Sequence, residues 1–253
     1  MSDAFAGRTV LVTGAGLGLG RAIAHSFAAS GASVWGCDIL AAGLAETNAT
    51  APAPMHVQTV DVTQSQQVQA FARAALDATG RIDVLVNDAG GLCGQTFRPL
   101  DELPEEDWHQ VLHANLTSSF LCAQAAAPTM KQAGYGRIVN IASGAGLTTT
   151  VTGIQAYASA KAGMIGLTRQ LAQELGPFGI TANCIAPGNI ATGRIMQTVI
   201  PGSARANTDP AARVALRRVG TVEDCARVVE FLTTDLSDYV TGAVIPIDGG
   251  LLR

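Results

Sequence analysis

The sequence predicts an α/β fold: a single domain on a seven-stranded parallel sheet, doubly wound, with helices on both faces. Three observations carry this. Apolar, β-rich runs alternate with longer helical patterns from end to end, the signature of βαβ units whose strands are buried on both sides. The first run, Val10-Leu11-Val12, feeds a glycine-rich turn, Thr13 to Gly20, that opens an Ala-rich helical pattern. With 48% hydrophobic and 14% charged residues, 253 residues bury a large core but are too few for two full α/β domains.

Strands are expected at Thr9 to Thr13, Ser33 to Asp38, Met55 to Val60, Asp83 to Asn87, Arg137 to Ala142, Ile180 to Ala186 and Ala243 to Ile247. Helices fill the gaps, and right-handed crossovers place them on both sides of the sheet. One begins around Pro104, a residue suited to a first turn, and carries Asn115 among Val111, Leu112, Leu116 and Phe120. Another is opened by Tyr157-Ala158-Ser159-Ala160-Lys161. Gly91 to Leu100 and Gly193 to Gly220 lack clean periodicity. No repeat, low-complexity tract or long linker interrupts the pattern.

A net charge of -4 supplies no general basic field and argues against nucleic acid as the main partner. The five cysteines, Cys37, Cys93, Cys122, Cys184 and Cys225, are odd in number and share no C-x-x-C spacing, which indicates neither a disulfide framework nor a zinc site. A reducing cytoplasm fits. The chain starts without a basic segment followed by an apolar one, and no apolar run reaches about 18 residues, so neither export nor membrane insertion is suggested. A charged fraction well below the roughly 25% usual for soluble domains implies surface covered by copies of the same chain, hence a homo-oligomer.

The glycine-rich turn has the make-up of a phosphate cradle. Backbone has to approach a pyrophosphate, turn with positive φ in places, and aim free helix N–H groups at the phosphates. The second strand ends at Asp38, eighteen residues beyond Gly20, near the distance at which an acid accepts hydrogen bonds from an adenosine ribose. A carboxylate there repels a 2′-phosphate, Ile39 and Leu40 are apolar, and Ala15 and Leu17 offer no cation, so NAD is favoured over NADP. Asp61-Val62-Thr63 closes the third strand, and Thr63 reads equally as a helix N-cap.

Ser143 follows the fifth strand, and Tyr157 and Lys161 stand at i and i+4 on one helix face. A tyrosine acting at neutral pH needs about 4 kcal/mol in favour of its phenolate; an ammonium about 5 Å away contributes about 3 kcal/mol at an effective dielectric of 20, and an oxidised nicotinamide adds further positive charge. With three tyrosines and two lysines in the chain, chance placement of this spacing is expected about 0.02 times.

These features together resemble the short-chain dehydrogenase/reductase family over nearly the whole chain. The frame T-G-x-x-x-G-x-G falls on Gly14, Gly18 and Gly20, with Gly16 as an extra glycine; Asn87-Asp88-Ala89-Gly90 is similar to the family's N-N-A-G, with Asp88 replacing the second Asn; Pro187-Gly188-Asn189-Ile190-Ala191-Thr192 is similar to P-G-x-I-x-T. The resemblance implies a Rossmann-type cofactor half. Gly14, Gly18, Leu19 and Gly20 would serve the phosphates, Asp38 the ribose, Asp61 and Val62 the adenine, and Asn87, Ala89 and Gly90 the passing backbone. Pro187, Gly188, Ile190 and Thr192 would hold the nicotinamide carboxamide. It further implies a catalytic tetrad of Asn115, Ser143, Tyr157 and Lys161. Tyr157 would exchange the proton, Ser143 would bond the same oxygen, Lys161 would grip the ribose, and a backbone-bonded Asn115 would hold a water. Fourteen residues separate Ser143 from Tyr157, one more than in many members, which leaves Thr148 as the alternative to Ser143.

The activity implied is hydride transfer between NAD and a secondary alcohol or ketone, in a homotetramer. Two alternatives are an NADPH-type 3-oxoacyl reductase, which Asp38 disfavours, and a non-catalytic NAD-sensing protein, which the tetrad disfavours. Between Gly193 and Val219 lie five arginines, Arg194, Arg205, Arg213, Arg217 and Arg218, against one acid, Asp209. Arg217 and Arg218 adjoin a structural stretch, which leaves Arg194, Arg205 and Arg213 as candidates for an anionic substrate group. Thr148-Thr149-Thr150 and Gln155 support instead a neutral, hydroxyl-rich substrate beside Ser143 and Tyr157.

Overall fold

Strands buried on both faces need apolar side chains at successive positions, and the central runs of the chain supply them, whereas the edge run His56–Thr59 is largely exposed. The computed structural model describes residues 4–94, 97–149, 153–192 and 209–251. In chain order the elements are β1 (Thr9–Thr13), α1 (Gly18–Ala29), β2 (Ser33–Asp38), α2 (Ala41–Ala49), β3 (His56–Thr59), α3 (Ser65–Thr79), β4 (Val84–Asn87), α4 (Glu105–Leu112), α5 (Ser118–Ala133), β5 (Gly136–Ile141), α6 (Gly144–Leu147), α7 (Gln155–Leu175), β6 (Ile180–Pro187), α8 (Val222–Thr233) and β7 (Val244–Ile247). All seven expected strands form, and no end moves by more than one residue.

The strands pair in parallel in the order β3-β2-β1-β4-β5-β6-β7. Alternation decides which layer each side chain enters. Val10, Val12, Val84, Val86, Val139 and Ile141 face α1 and α8, where Ile23, Phe27, Val229 and Leu232 meet them. Leu11, Leu85 and Ile138 face α3, α5 and α7, against Phe71, Ala75, Met130 and Leu175. The chain runs outward from β1 to β3 and then returns to place β4 on the other side of β1. This reversal opens a crevice at the carboxyl ends of β1 and β4, the place where such sheets take ligands.

Two local expectations are revised. Asn115 does not continue the turn geometry of α4: it lies in a π-helical segment, His113–Thr117, that joins α4 to α5. Such single-turn bulges widen the backbone ladder, and nothing in apolar periodicity marks them. Thr63 does not cap α3 either, because that helix starts two residues later behind Gln64. Its N–H and hydroxyl both donate to Asp61 Oδ1, at 2.9 and 2.7 Å. No disulfide joins any two of the five cysteines, and only Cys93 is exposed. Among the described residues no helix is long and apolar enough to cross a membrane, and no cluster of His, Cys, Asp and Glu is placed to hold a metal.

Candidate active site

The glycine turn packs against two neighbours so closely that side chains are excluded. Gly14 has φ +71°, and a Cβ on it would stand 2.8 Å from the Ala89 nitrogen; one on Gly20 would stand 2.2 Å from the Gly14 carbonyl oxygen. The Thr13 hydroxyl fastens the same contact by accepting from the Asp88 and Ala89 N–H groups, both at 3.1 Å. The turn between Gly14 and Gly18 delivers the first turn of α1 to the crevice. Leu17 at its N-cap has no side chain to satisfy those N–H groups, and no acid stands in the first turn. The donor set fits a phosphate.

Asp38 lies beside this turn at the end of β2. Its Oδ2 accepts from the Gly16 N–H and its Oδ1 from the Leu40 N–H, each at 3.0 Å. Residues that sequence reading missed hold the turn from α2 and α1. Arg21 donates to the Gly16 carbonyl at 2.7 Å, to Thr47 Oγ1 at 2.9 Å and to Glu46 at 2.8 Å. Thr47 donates to the Ala15 carbonyl at 2.9 Å. The Arg21 contact holds the Glu46 carboxyl below its usual range. Val62 is buried in the core behind Asp61.

Across the crevice, Asn87 at the end of β4 donates to Asn140 Oδ1 at 2.8 Å, and Asn140 donates to Thr168 Oγ1 at 2.9 Å. This buried amide ladder ties β4 to β5 and to α7. Gly90 passes so close to Asn115 that a Cβ would stand 2.4 Å from its Oδ1. Asn115, fully buried, accepts from the Gly91 N–H at 2.9 Å and donates to the Gly91 and Val111 carbonyls at 2.8 Å. Its side chain is thus occupied in pinning the loop after β4.

Ser143 sits two residues beyond β5 and caps α6, its hydroxyl accepting from the Ala145 N–H at 3.2 Å. The alternative, Thr148, is exposed at the far end of α6. Lys161 is buried in α7, donates to the Ile141 carbonyl at 2.8 Å, and holds its Nζ 5.6 Å from the centre of the Tyr157 ring. Tyr157 itself is half-buried. Tyr157 and Lys161 thus stand together on α7, and Ser143 heads α6, which packs against α7.

Pro187 ends β6. Gly188 passes against Asp248, Ile190 bridges to Gly220, and the Thr192 methyl stands 3.9 Å from where a Gly18 Cβ would be. The segment thereby closes over the glycine turn. Gln155 opens α7 and donates to the Arg98 carbonyl at 3.1 Å. Arg213 ends a 3-10 turn, Pro210–Arg213, whereas Arg194, Arg205 and Thr150 lie outside the described residues. A cavity of about 570 Å³ opens between Ile190, Gly220, Leu216 and Ile247 and is lined by none of Ser143, Tyr157 and Lys161.

Comparison with known proteins agrees over the same span. A family model described as enoyl-(acyl carrier protein) reductase matches residues 14–252. A cyclohexanol dehydrogenase from Rhodococcus sp. (strain TK6) is 39% identical, with 97% of this chain and 96% of that protein covered. A 3-oxoacyl-(acyl-carrier-protein) reductase from Thermotoga maritima is 38% identical, with 97% and 98% covered. Among solved structures, an NAD+-bound xylitol dehydrogenase superposes with a TM-score of 0.91 at 32% identity, covering 97% of this chain and 99% of that one. Since these matches run through the glycine turn, the tyrosine helix and the last strand alike, the chain belongs to the short-chain dehydrogenase/reductase family of oxidoreductases, which work with nicotinamide cofactors.

Proposed function

We propose that this protein is an NAD-dependent dehydrogenase/reductase acting on a secondary alcohol or the matching ketone. The observation that carries the reading is the buried Lys161 ammonium held 5.6 Å from the Tyr157 ring. Gly14, Gly18, Leu19 and Gly20 would hold the pyrophosphate, Asp38 the adenosine ribose, Asp61 and Val62 the adenine edge. The backbone of Asn87, Ala89 and Gly90 would flank the ribose, and Pro187, Gly188, Ile190 and Thr192 the carboxamide. The dinucleotide, when bound, supplies or accepts the hydride. Tyr157 takes the proton from the substrate hydroxyl during oxidation and returns it during reduction. Ser143 donates to the same oxygen, Lys161 favours the phenolate and grips the nicotinamide ribose, and Asn115 keeps the Gly91 loop beside the proton exit.

Support for NAD comes from Asp38, whose carboxylate would face a 2′-phosphate in NADP, and from the absence of a cation at Ala15, Leu17, Ile39 and Leu40. This disfavours the NADPH-dependent 3-oxoacyl reductase reading. For the substrate we favour an uncharged alcohol or ketone, with Gln155 beside it. The names of two relatives support this, since cyclohexanol and xylitol carry no charge. The half-exposed edge strand β7, together with the exposed Phe231 and Tyr239, supports a homo-oligomer, read as a tetramer and measurable by sedimentation.

The test is a panel of secondary alcohols, polyols, sugars and hydroxy acids, each followed with NAD and NADP in parallel. One substrate should be turned over with NAD at least about a hundredfold better in kcat/KM than with NADP. Tyr157→Phe should abolish turnover while calorimetry still registers NAD. Turnover within tenfold of the unmodified protein removes Tyr157 from its role.

A further inference from the structure

The connection between β4 and α4 is gripped at two points, and each grip takes both backbone polar groups of one residue. At Gly91, Asn115 accepts from the N–H at 2.9 Å and donates to the carbonyl at 2.8 Å. At Arg98, seven residues on, the Gly153 carbonyl accepts from the N–H at 3.4 Å and Gln155 Nε2 donates to the carbonyl at 3.1 Å. The first grip comes from the π-helical segment, the second from the head of α7, where Gln155 is the first residue of the helix and Tyr157 the third.

The second grip is close-fitting. Gly153 has φ +84°, and a Cβ on it would stand 2.8 Å from the Arg98 nitrogen and 3.0 Å from the Phe97 Cα, so the two segments meet backbone to backbone. The Arg98 guanidinium reaches Asp107 on α4 at 3.8 Å, which ties the same residue to a second helix. Gln155 serves this contact at its own expense: its Oε1 is buried with no hydrogen-bond partner among the described residues. Turning the amide over would set that oxygen against the Arg98 carbonyl, acceptor to acceptor. The need for a donor at Arg98 therefore fixes the orientation and leaves the other end of the amide unserved. A contact selected for stability alone would not strand a buried acceptor, and such an exception points to a role in holding its partner in place.

We propose that Gln155 is a positioning residue for substrate binding: its amide latches Arg98, and with it Phe97, onto the helix that presents Tyr157. This rests on the reading of Tyr157 as the proton carrier of an alcohol dehydrogenase. Phe97 and Arg98 form one wall of the substrate space, held at a fixed distance from the phenol, while Asn115 fixes the start of the same connection at the end of β4. Without the donor on Gln155 the wall moves away from Tyr157. Substrate is then gripped less well, and a compact substrate that needs the wall close suffers more than a bulky one. The cofactor, held by other elements, is left as it was.

The experiment compares the unmodified protein with Gln155→Met, which keeps the length and removes the donor, and Gln155→Glu, which keeps the shape and at neutral pH sets a carboxylate before the Arg98 carbonyl. KM and kcat are measured for the smallest secondary alcohol that the protein turns over and for its phenyl-substituted homologue. Backbone hydrogen exchange and melting temperatures are recorded on each variant. In Gln155→Met the KM for the small alcohol should rise about tenfold, and in Gln155→Glu at least as much, while kcat changes less than about threefold and the KM for NAD less than about twofold. The phenyl homologue should lose less, shifting the ratio of the two KM values by about threefold or more. Exchange in the peptide carrying Phe97 and Arg98 should quicken about tenfold with α7 unchanged. The melting temperature should stay within about 3 °C, since the lost hydrogen bond takes a buried unpaired acceptor away with it. An unmoved KM or unchanged exchange at Arg98 in Gln155→Met overturns the proposal. So does a Gln155→Glu variant that matches the unmodified protein, an equal loss for alcohol and NAD, or a methionine variant that fails to fold. A protein that turns over no alcohol or ketone, or whose Tyr157→Phe variant keeps its turnover, overturns the dehydrogenase reading and this inference together, whereas an essential Tyr157 with both Gln155 variants unaffected overturns this inference alone.

Discussion

Replacing Lys161 by methionine removes one charge from α7 and keeps a flexible apolar side chain in the space the lysine fills. The ammonium lies 5.6 Å from the Tyr157 ring centre, so its attraction for a phenolate is about 3 kcal/mol at an effective dielectric of 20. If that attraction is present when Tyr157 acts, kcat at neutral pH should fall by about a hundredfold. The same substitution leaves the Ile141 carbonyl without its 2.8 Å donor, a loss of about 1–3 kcal/mol in stability partly offset by no longer burying a charge. Activity and stability must therefore be read separately. Steady-state kcat and KM for NAD would be measured at neutral pH, with melting temperatures alongside. The lost charge should appear in kcat, while a raised KM would report the lost grip on ribose. A kcat within fivefold of the unmodified protein, while the variant remains folded, refutes the electrostatic account.

Two further outcomes follow from contacts on either side of the site. Thr13→Val removes the acceptor of the Asp88 and Ala89 N–H groups and should cost about 2 kcal/mol in denaturant unfolding together with a raised KM for the cofactor; unchanged values of both would show that the hydroxyl does not brace the turn. Asp224 caps α8 with Thr221, and the Arg218 guanidinium beside it, followed by the Thr221 N–H, holds its carboxyl well below the usual carboxylate range. A folded value below the unfolded one means that the contribution is complete above the unfolded pKa of about 4 and is lost as pH falls toward the folded value. Asp224→Ala should then cost about 1 kcal/mol at pH 7 and progressively less below pH 4, and a difference that does not shrink in acid would contradict the assignment.

The central strands were legible because a parallel strand buried on both faces must be largely apolar; TVLVT, DVLVN and RIVNI leave little freedom in where pairing begins and ends. The glycine turn was legible for a related reason: at Gly14 and Gly20 another backbone occupies the place of the side chain. Asn115 was visible as a polar residue in an apolar stripe, but the π-helical segment around it was not, since a one-residue widening of a helix leaves no periodic trace. Thr63 misled because the same Ser/Thr/Asp chemistry serves helix caps and local turns alike, and here the turn at Asp61 won. Arg194 and Arg205, which sequence reading singled out for a substrate anion, lie outside the described residues.

What escaped sequence reading altogether was the set of contacts that aim the reacting groups, because each joins positions far apart in the chain. The Tyr157 and Lys161 spacing is local, yet the direction of the lysine is set by the Ile141 carbonyl twenty residues earlier. That carbonyl is within reach because α6 lies hard against α7: a Cβ on Gly146 would stand 2.7 Å from the Lys161 carbonyl carbon. The same approach places Ser143, at the head of α6, near the tyrosine helix. Asn140 and Thr168 then tie β5 and α7 together from inside, and Asn87 carries the ladder on to β4 and the cofactor crevice. A local motif can name the groups that exchange a proton, but the geometry that lets them do so is held by a glycine and three polar side chains whose importance appears only when the sheet is closed.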